Sequence, residues 1–282
     1  MTEKTVTVTI DGEEVQAREG EMVLAACRRL GKDIPTLCHH DALEPYASCR
    51  VCMVEVTVRG WTSLVTACHY PVRDGLIVRT DSEAVLEARR VVLELLLSRC
   101  PKSEVIRDLA AQYGVTEPPY ECDDPDEGCI LCGLCVRICA AVMEDPSLRK
   151  EAGTSRASAG GIGFAGRGVD RKVTSPFELP LEQCIGCEAC INVCPTGYVM
   201  KRLEAGKLII DSWHAEVEEH RCASCGKAFL TEKQIALIKE RSEKEVEGIE
   251  LCPSCRRKKA GEDLKSASKA MNALKTGTIH VP

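Results

Sequence analysis

Nineteen of the 282 residues are cysteines. A thiolate can ligate a soft metal, join a disulfide or attack an electrophile, so thiols at this density set the chemistry. Sixteen of them fall into four groups: Cys38, Cys49, Cys52 and Cys68; Cys129, Cys132, Cys135 and Cys139; Cys184, Cys187, Cys190 and Cys194; Cys222, Cys225, Cys252 and Cys255. A secreted disulfide framework and metal or cluster ligation compete to explain them. Met1-Thr2-Glu3-Lys4 runs straight into Thr5-Val6-Thr7-Val8-Thr9-Ile10, with no apolar segment of secretory type. The longest apolar stretch, Val91 to Leu97, is interrupted by Glu94, so no membrane span is expected. A cytoplasmic chain with reduced thiols is therefore expected, its cysteines holding metal.

Two groups repeat one motif about 55 residues apart: Cys129-x2-Cys132-x2-Cys135-x3-Cys139 and Cys184-x2-Cys187-x2-Cys190-x3-Cys194-Pro195. A cubane needs four thiolates around one compact body. A C-x2-C-x2-C run wraps three irons with a single loop, and the fourth thiolate must come from elsewhere. The spacing resembles that of two-cluster bacterial ferredoxins, in which the last cysteine of each run serves the other cluster. The resemblance implies one [4Fe–4S] centre at Cys129, Cys132, Cys135 and Cys194. It implies a second at Cys184, Cys187, Cys190 and Cys139. The group Cys38-x10-Cys49-x2-Cys52-x15-Cys68 suits a [2Fe–2S] centre, although its first gap exceeds the plant-type spacing. Structural zinc is the alternative there. Cys222-x2-Cys225-Gly226 and Cys252-Pro253-Ser254-Cys255 read as a zinc ribbon with a helix in the long gap. The same four sulfurs would also suit an iron centre.

The elements that position these residues are readable as patterns. Thr5 to Ile10 alternates at period two, Asp11-Gly12 marks a hairpin turn and Val15 to Ala17 returns. Glu21 to Leu30 has helical apolar spacing, capped by Gly31. Val51 to Val58, Trp61 to Ala67 and Leu76 to Val78 complete a small sheet around Arg59-Gly60. A helix starts at Asp81 or Ser82 and breaks at Pro101. A second runs from Ser103 to Tyr113 and stops at Gly114. Helical spacing recurs from about Thr231 to Val246. The expected class is α+β: a β-grasp [2Fe–2S] ferredoxin-like domain over 1–80, a helical linker over 81–121, a two-cluster ferredoxin-like domain over 122–212, a zinc-ribbon-like module over 213–260 and a tail over 261–282.

Three stretches carry a wider resemblance: Ile34-Pro35-Thr36-Leu37-Cys38-His39-His40, Ser48-Cys49-Arg50-Val51-Cys52-Met53-Val54-Glu55-Val56 and Thr66-Ala67-Cys68. With the two later motifs, residues 4–210 resemble the N-terminal part of the large iron–sulfur subunit of respiratory complex I. They also resemble its relatives in NAD(P)-linked, including electron-bifurcating, hydrogenases and reductases. The resemblance implies a non-catalytic electron-transfer subunit. One partner would be a flavin-containing NAD(P)H-binding subunit like that of complex I. The other would be a second redox subunit or a ferredoxin, in a hydrogenase, a formate dehydrogenase or another reductase. Two departures stand out. Most relatives insert a cluster with one His and three Cys ligands, but here that stretch holds only Cys100 and Cys122, so its absence is expected. Relatives also continue into a large catalytic or catalytic-like domain, where this chain has a short module.

Composition adds limits. Lys and Arg number 37 against 43 Asp and Glu, a formal charge of −6. Four thiolate-held centres would add about −8, favouring basic surfaces on partners. Gly161-x-Gly163-x-x-Gly166 spells a dinucleotide fingerprint but lacks the flanking strand and helix, so a glycine-rich hairpin is expected instead. Arg256-Arg257-Lys258-Lys259 reads as a solvated face or a docking patch, and no nucleic-acid partner is expected. His220 could replace one of the last four cysteines but is expected to be solvated, and Cys27 to be core. The alternative reading is a free-standing multi-cluster carrier or redox-sensing regulator.

Overall fold

The computed structural model describes residues 4–122, 124–143, 161–242 and 246–275. They fall into two compact units. The first comprises residues up to 178 together with 189–200; the second comprises 179–188 and 201 onward. The unit boundary runs inside the second cysteine motif.

The first unit opens with β1 (Thr5–Ile10) and β2 (Glu13–Arg18), paired antiparallel around Asp11-Gly12. Val6, Val8 and Ile10 point inward and the threonines between them outward, as alternation requires. Helix α1 (Val23–Arg29) ends at Gly31, where Lys32 N–H reaches back to Cys27 O at 3.1 Å. β3 (Met53–Val58), β4 (Trp61–Thr66) and β5 (Ile77–Arg79) complete a sheet of order β2-β1-β5-β3-β4. Only β1 and β5 pair in parallel. Val23, Leu24, Ala26 and Cys27 of α1 pack with Val8, Ile10, Val54, Val56 and Val78 of the sheet. Strand order and single helix are those expected of a β-grasp.

Helix α2 (Glu83–Arg99) starts at Ser82, whose hydroxyl accepts from Val85 N–H at 3.4 Å. Helix α3 (Glu104–Gln112) follows Pro101. These helices are more than a spacer. Val85, Arg89, Leu93 and Leu97 form a buried row at four-residue intervals. Leu93, Leu97, Ile106 and Ala110 share one core with Leu37, Cys38, Cys49, Ile130, Cys132 and Leu134. The fold thus places cysteines of two groups around one apolar wall. Helix α4 (Leu134–Met143) carries Cys135 and Cys139. β6 (Gly163–Ala165) and β7 (Lys172–Thr174) form the expected glycine-rich hairpin. The short turn α5 (Ala189–Asn192) packs on α4. The rest of the Gly/Ser/Ala-rich stretch, 152–160, lies outside the described residues.

The second unit is built on an antiparallel sheet of β8 (Arg202–Glu204), β9 (Lys207–Ile210), β10 (Ala215–Arg221) and β11 (Ala228–Thr231). Helix α6 (Glu232–Arg241) follows Thr231 directly, with a complete capping box between Thr231 and Gln234. Helix α7 (Pro253–Lys275) continues far beyond the last cysteine, where a tail was expected from residue 261. Leu264 and Met271 are exposed on it. Its formation rests on helix-favouring Ala, Lys, Arg, Glu and Leu rather than on a buried stripe, which is why hydrophobic periodicity misses it. Among the described residues, no helix is long and apolar enough to cross a membrane.

Candidate metal and cluster centres

Cys38, Cys49, Cys52 and Cys68 are all buried. The β3–β4 hairpin brings two of them together: Met53 pairs with Thr66, so Cys52 and Cys68 lie just outside the two strand ends. Ala67 N–H donates to Cys52 O at 2.9 Å. Cys38 and Cys49 come from the irregular loop ahead of β3, and Cys49 N–H donates to Cys38 Sγ at 3.4 Å. The thiols also bond one another. The side-chain bond from Cys49, then that from Cys68, hold the Cys38 thiol far below its ordinary value. Cys68 likewise lowers Cys52, to about 7. The thiols of Cys49 and Cys68 move up in return, through their bonds to Cys38. All four thiols are thus buried near the foot of the β3–β4 hairpin, each within reach of at least one other.

Arginines brace the surrounding carbonyls. Arg89, buried on α2, donates to Met53 O through Nε (3.1 Å) and Nη2 (2.7 Å), and to Tyr113 Oη at 3.1 Å. Arg99 Nε donates to Cys129 O at 2.8 Å, and its Nη2 pairs with Glu127 Oε2 at 3.2 Å. Arg137 reaches Cys38 O at 2.9 Å and Glu44 O at 2.6 Å.

In the first repeat, Leu131 N–H donates to Cys129 Sγ at 3.4 Å. In the second, Gly186 N–H donates to Cys184 Sγ at the same 3.4 Å. The left-handed backbone recurs too: Leu131 (φ 54°) and Gly133 (φ 74°) correspond to Gly186 (φ 70°) and Glu188 (φ 61°). Equal spacing thus produces equal loops that turn amides toward sulfur. At Gly133 a Cβ would sit 3.2 Å from Phe164 and 3.4 Å from Tyr46, so glycine meets both a turn and a crowding requirement there. Burial pushes the thiols of Cys129, Cys132 and Cys135 up, Cys132 to about 11. Cys194 lies close enough for its charge to act on all three in the same direction. Thr196, two residues later, donates to Gly128 O at 2.7 Å and lies 3.6 Å from Cys194 Sγ. The other set, Cys139, Cys184, Cys187 and Cys190, is divided between the two units, and its membership rests on the spacing.

In the second unit, Cys222 and Cys225 sit in the β10–β11 turn, Cys252 precedes α7 and Cys255 lies in its first turn. Their four sulfurs lie within 4.8 Å of one another. Cys252 N–H donates to Cys222 Sγ at 3.2 Å, and this bond leads the fall of the Cys222 thiol to about 6. Cys255 N–H acts on Cys252 in the same sense. A lowered thiol is a ready ligand. His220 does not join them and is not solvated. It is buried, with Nδ1 2.9 Å from Glu232 Oε1, Nε2 2.9 Å from Glu250 Oε2 and its ring edge-on to Phe229.

The donor chemistry fits iron–sulfur groups: all-thiol sets, backbone amides on sulfur, and a buried Arg137 Nε–H with no hydrogen-bond acceptor among the described residues. The bracing arginines escape sequence reading. Arg137 sits inside the motif, but its partner Cys38 is 99 residues away. Cys27 and Cys100 are buried in the cores. Cys122 Sγ donates to Asp124 O at 2.9 Å.

A β-grasp sheet followed by a repeated ferredoxin-type loop defines an iron–sulfur protein. Residues 3–83 match the family described as a 2Fe-2S iron-sulfur cluster binding domain, and residues 126–198 the 4Fe-4S dicluster domain. The chain is related to the iron–sulfur subunits of NAD(P)-linked oxidoreductases and hydrogenases. It is 34% identical to NADP-reducing hydrogenase subunit HndD of Solidesulfovibrio fructosivorans over 226 residues, covering 70% of this chain and 36% of that protein. It is 32% identical to a subunit of the NADH-quinone oxidoreductase of Rhizobium meliloti (strain 1021), covering 69% of this chain and 24% of that protein. The chain therefore spans only a quarter to about a third of these relatives. Among solved structures, the crystal structure of NAD+-reducing [NiFe]-hydrogenase in the H2-reduced state aligns with 28% identity and a TM-score of 0.46, over 60% of this chain and 74% of that one.

Proposed function

We propose that the chain relays single electrons inside an NAD(P)H-linked oxidoreductase complex. One [2Fe–2S] group is held by Cys38, Cys49, Cys52 and Cys68. One [4Fe–4S] group is held by Cys129, Cys132, Cys135 and Cys194, and a second by Cys184, Cys187, Cys190 and Cys139. Zinc occupies Cys222, Cys225, Cys252 and Cys255. One-electron carriers of this kind complement a two-electron flavin, so the partner on one side is a flavin-containing NAD(P)H-binding subunit like that of complex I. On the other side stands a second redox subunit or a ferredoxin, and bifurcation is compatible with such an assembly. The complex works in the cytoplasm. No flavin or substrate pocket is assigned to this chain.

The observation that carries the reading is the approach of Cys194 to the Cys129–Cys135 loop, with Thr196 tied to Gly128 O. It favours crossed ligation, which two independent metal knuckles would not need. Protein prepared without oxygen is expected to contain about ten irons per chain with acid-labile sulfide. Cys194→Ser should abolish the EPR signal of the Cys129 centre and spare the other cubane. Loss at the Cys184 centre instead would refute the crossing. A tagged chain purified anaerobically is expected to bring down a flavin-containing NAD(P)H oxidoreductase; flavin-free material would count against the relay.

A further inference from the structure

Arg137 lies on α4 between Cys135 and Cys139, yet its contacts lie in the N-terminal ferredoxin-like part of the same unit. Its Nη2 donates to Cys38 O at 2.9 Å and its Nη1 to Glu44 O at 2.6 Å. Its guanidinium stacks over the Tyr46 ring, 4.9 Å from the centroid. Tyr46 in turn abuts Gly133, inside the Cys129–Cys135 loop. One planar cation thus grips three points of the 38–46 loop while its backbone belongs to the cysteine-bearing helix. The two cysteine groups are already neighbours: Cys38, Cys49 and Cys132 share one core, and the charge of Cys38 is felt at Cys132. Nε–H remains buried without an acceptor among the described residues. A buried cationic donor left unsatisfied is costly unless an anion lies within reach.

We propose that Arg137 is a positioning residue that clamps the Cys38 loop to α4 and, by its charge, raises the reduction potential of the Cys38 centre. The inference rests on the iron–sulfur reading above. Reduction adds one electron, and therefore one negative charge, to that centre, and the electron comes from the flavin-linked partner or, in a titration, from dithionite. No bond of the chain forms or breaks. A fixed positive charge on this half-buried side chain, bonded to Cys38 O, stabilises the reduced form more than the oxidised form. Lys would retain the charge but lose the planar fork and the stack; Gln would lose both.

The test compares wild-type, Arg137→Gln and Arg137→Lys holoprotein. The readouts are iron and sulfide content, EPR-monitored redox titration of the [2Fe–2S] signal, and hydrogen exchange of peptides covering residues 38–46. In Arg137→Gln, the reduced-to-oxidised ratio at a fixed potential should fall about tenfold, a drop of about 59 mV for a one-electron couple. Arg137→Lys should stay within about threefold of wild type in that ratio, while 38–46 exchanges about tenfold faster in both variants. Full clusters in Arg137→Gln with unchanged potential and exchange would overturn the proposal. If Arg137→Gln loses iron, Arg137→Lys decides: faster exchange supports the clamp, and wild-type exchange overturns it. Wild-type protein lacking iron and sulfide would instead defeat the underlying reading, before any variant is compared.

Discussion

A thiol surrounded by apolar side chains is a weak acid, whereas one that accepts amide hydrogen bonds is a stronger one. Both kinds occur in this chain, and the ligand candidates include both. Burial pushes Cys27 up to about 12, with no amide bond to oppose it. In Cys222 the amide of Cys252 outweighs burial. Cys27 was identifiable as core because it falls on the apolar face of α1. Its titration carries a signed consequence. The folded chain holds the Cys27 proton more tightly than the unfolded chain does. The resulting stability is complete below pH 9 and is lost as pH rises toward 12. The urea midpoint of wild-type protein should therefore fall between about pH 8 and pH 10.5 more steeply than that of Cys27→Ala. Parallel slopes for the two proteins would contradict this account.

At the scale of elements, six of the ligand candidates are presented by the ends of elements rather than by their middles. Cys52 and Cys68 flank one hairpin, Cys222 and Cys225 occupy another turn, and Cys252 and Cys255 flank the start of α7. Element ends leave backbone amides unpaired, so those amides can serve sulfur. Thr231 shows how a cap can couple elements. Its hydroxyl accepts from Gln234 N–H at 3.1 Å and donates to Ile185 O at 2.6 Å, in the loop of Cys184. Thr231→Ala should cost about 1–2 kcal/mol in urea unfolding. Thr231→Ser, which retains the hydroxyl, should cost under half as much. Equal losses would place the effect in the methyl group that packs near Gly186. The strands of the first sheet, the turns at Asp11-Gly12 and Arg59-Gly60 and the cap at Ser82 were legible locally, whereas the sheet of β8 to β11 and the cap at Thr231 were not read. Nor was helix α7, because a solvated helix has no apolar period to read.

At the scale of the molecule, the four-sulfur set of the second unit is compact enough for a single ion, since all four sulfurs lie within 4.8 Å. Tetrahedral thiolate coordination suits zinc at that size. Cys225→Ser is expected to remove one equivalent of zinc, measured by elemental analysis, and to leave iron and sulfide at wild-type levels. Loss of iron together with zinc would show that the site holds iron or supports the clusters. The surface charge works at this scale as well. With the proposed thiolate-held clusters bound, the net-negative chain would become more anionic, a charge that favours basic partner faces.

Ligand type, repeat and spacing belong to the sequence, because a cluster demands several thiols at fixed short separations and few other functions do. The same holds for the sheet, whose alternation follows from burying one face. The contacts between distant segments belong to tertiary structure. Nothing local in Cys-Val-Arg-Ile-Cys says that Arg137 will hold Cys38 O, nor that Arg99 will hold Cys129 O. Those bonds exist because α2, α3 and the cysteine loops share one core, which brings donors and carbonyls from distant parts of the chain within reach of each other. The course of the chain in space, not the order of its residues, decided which charge lies beside which sulfur.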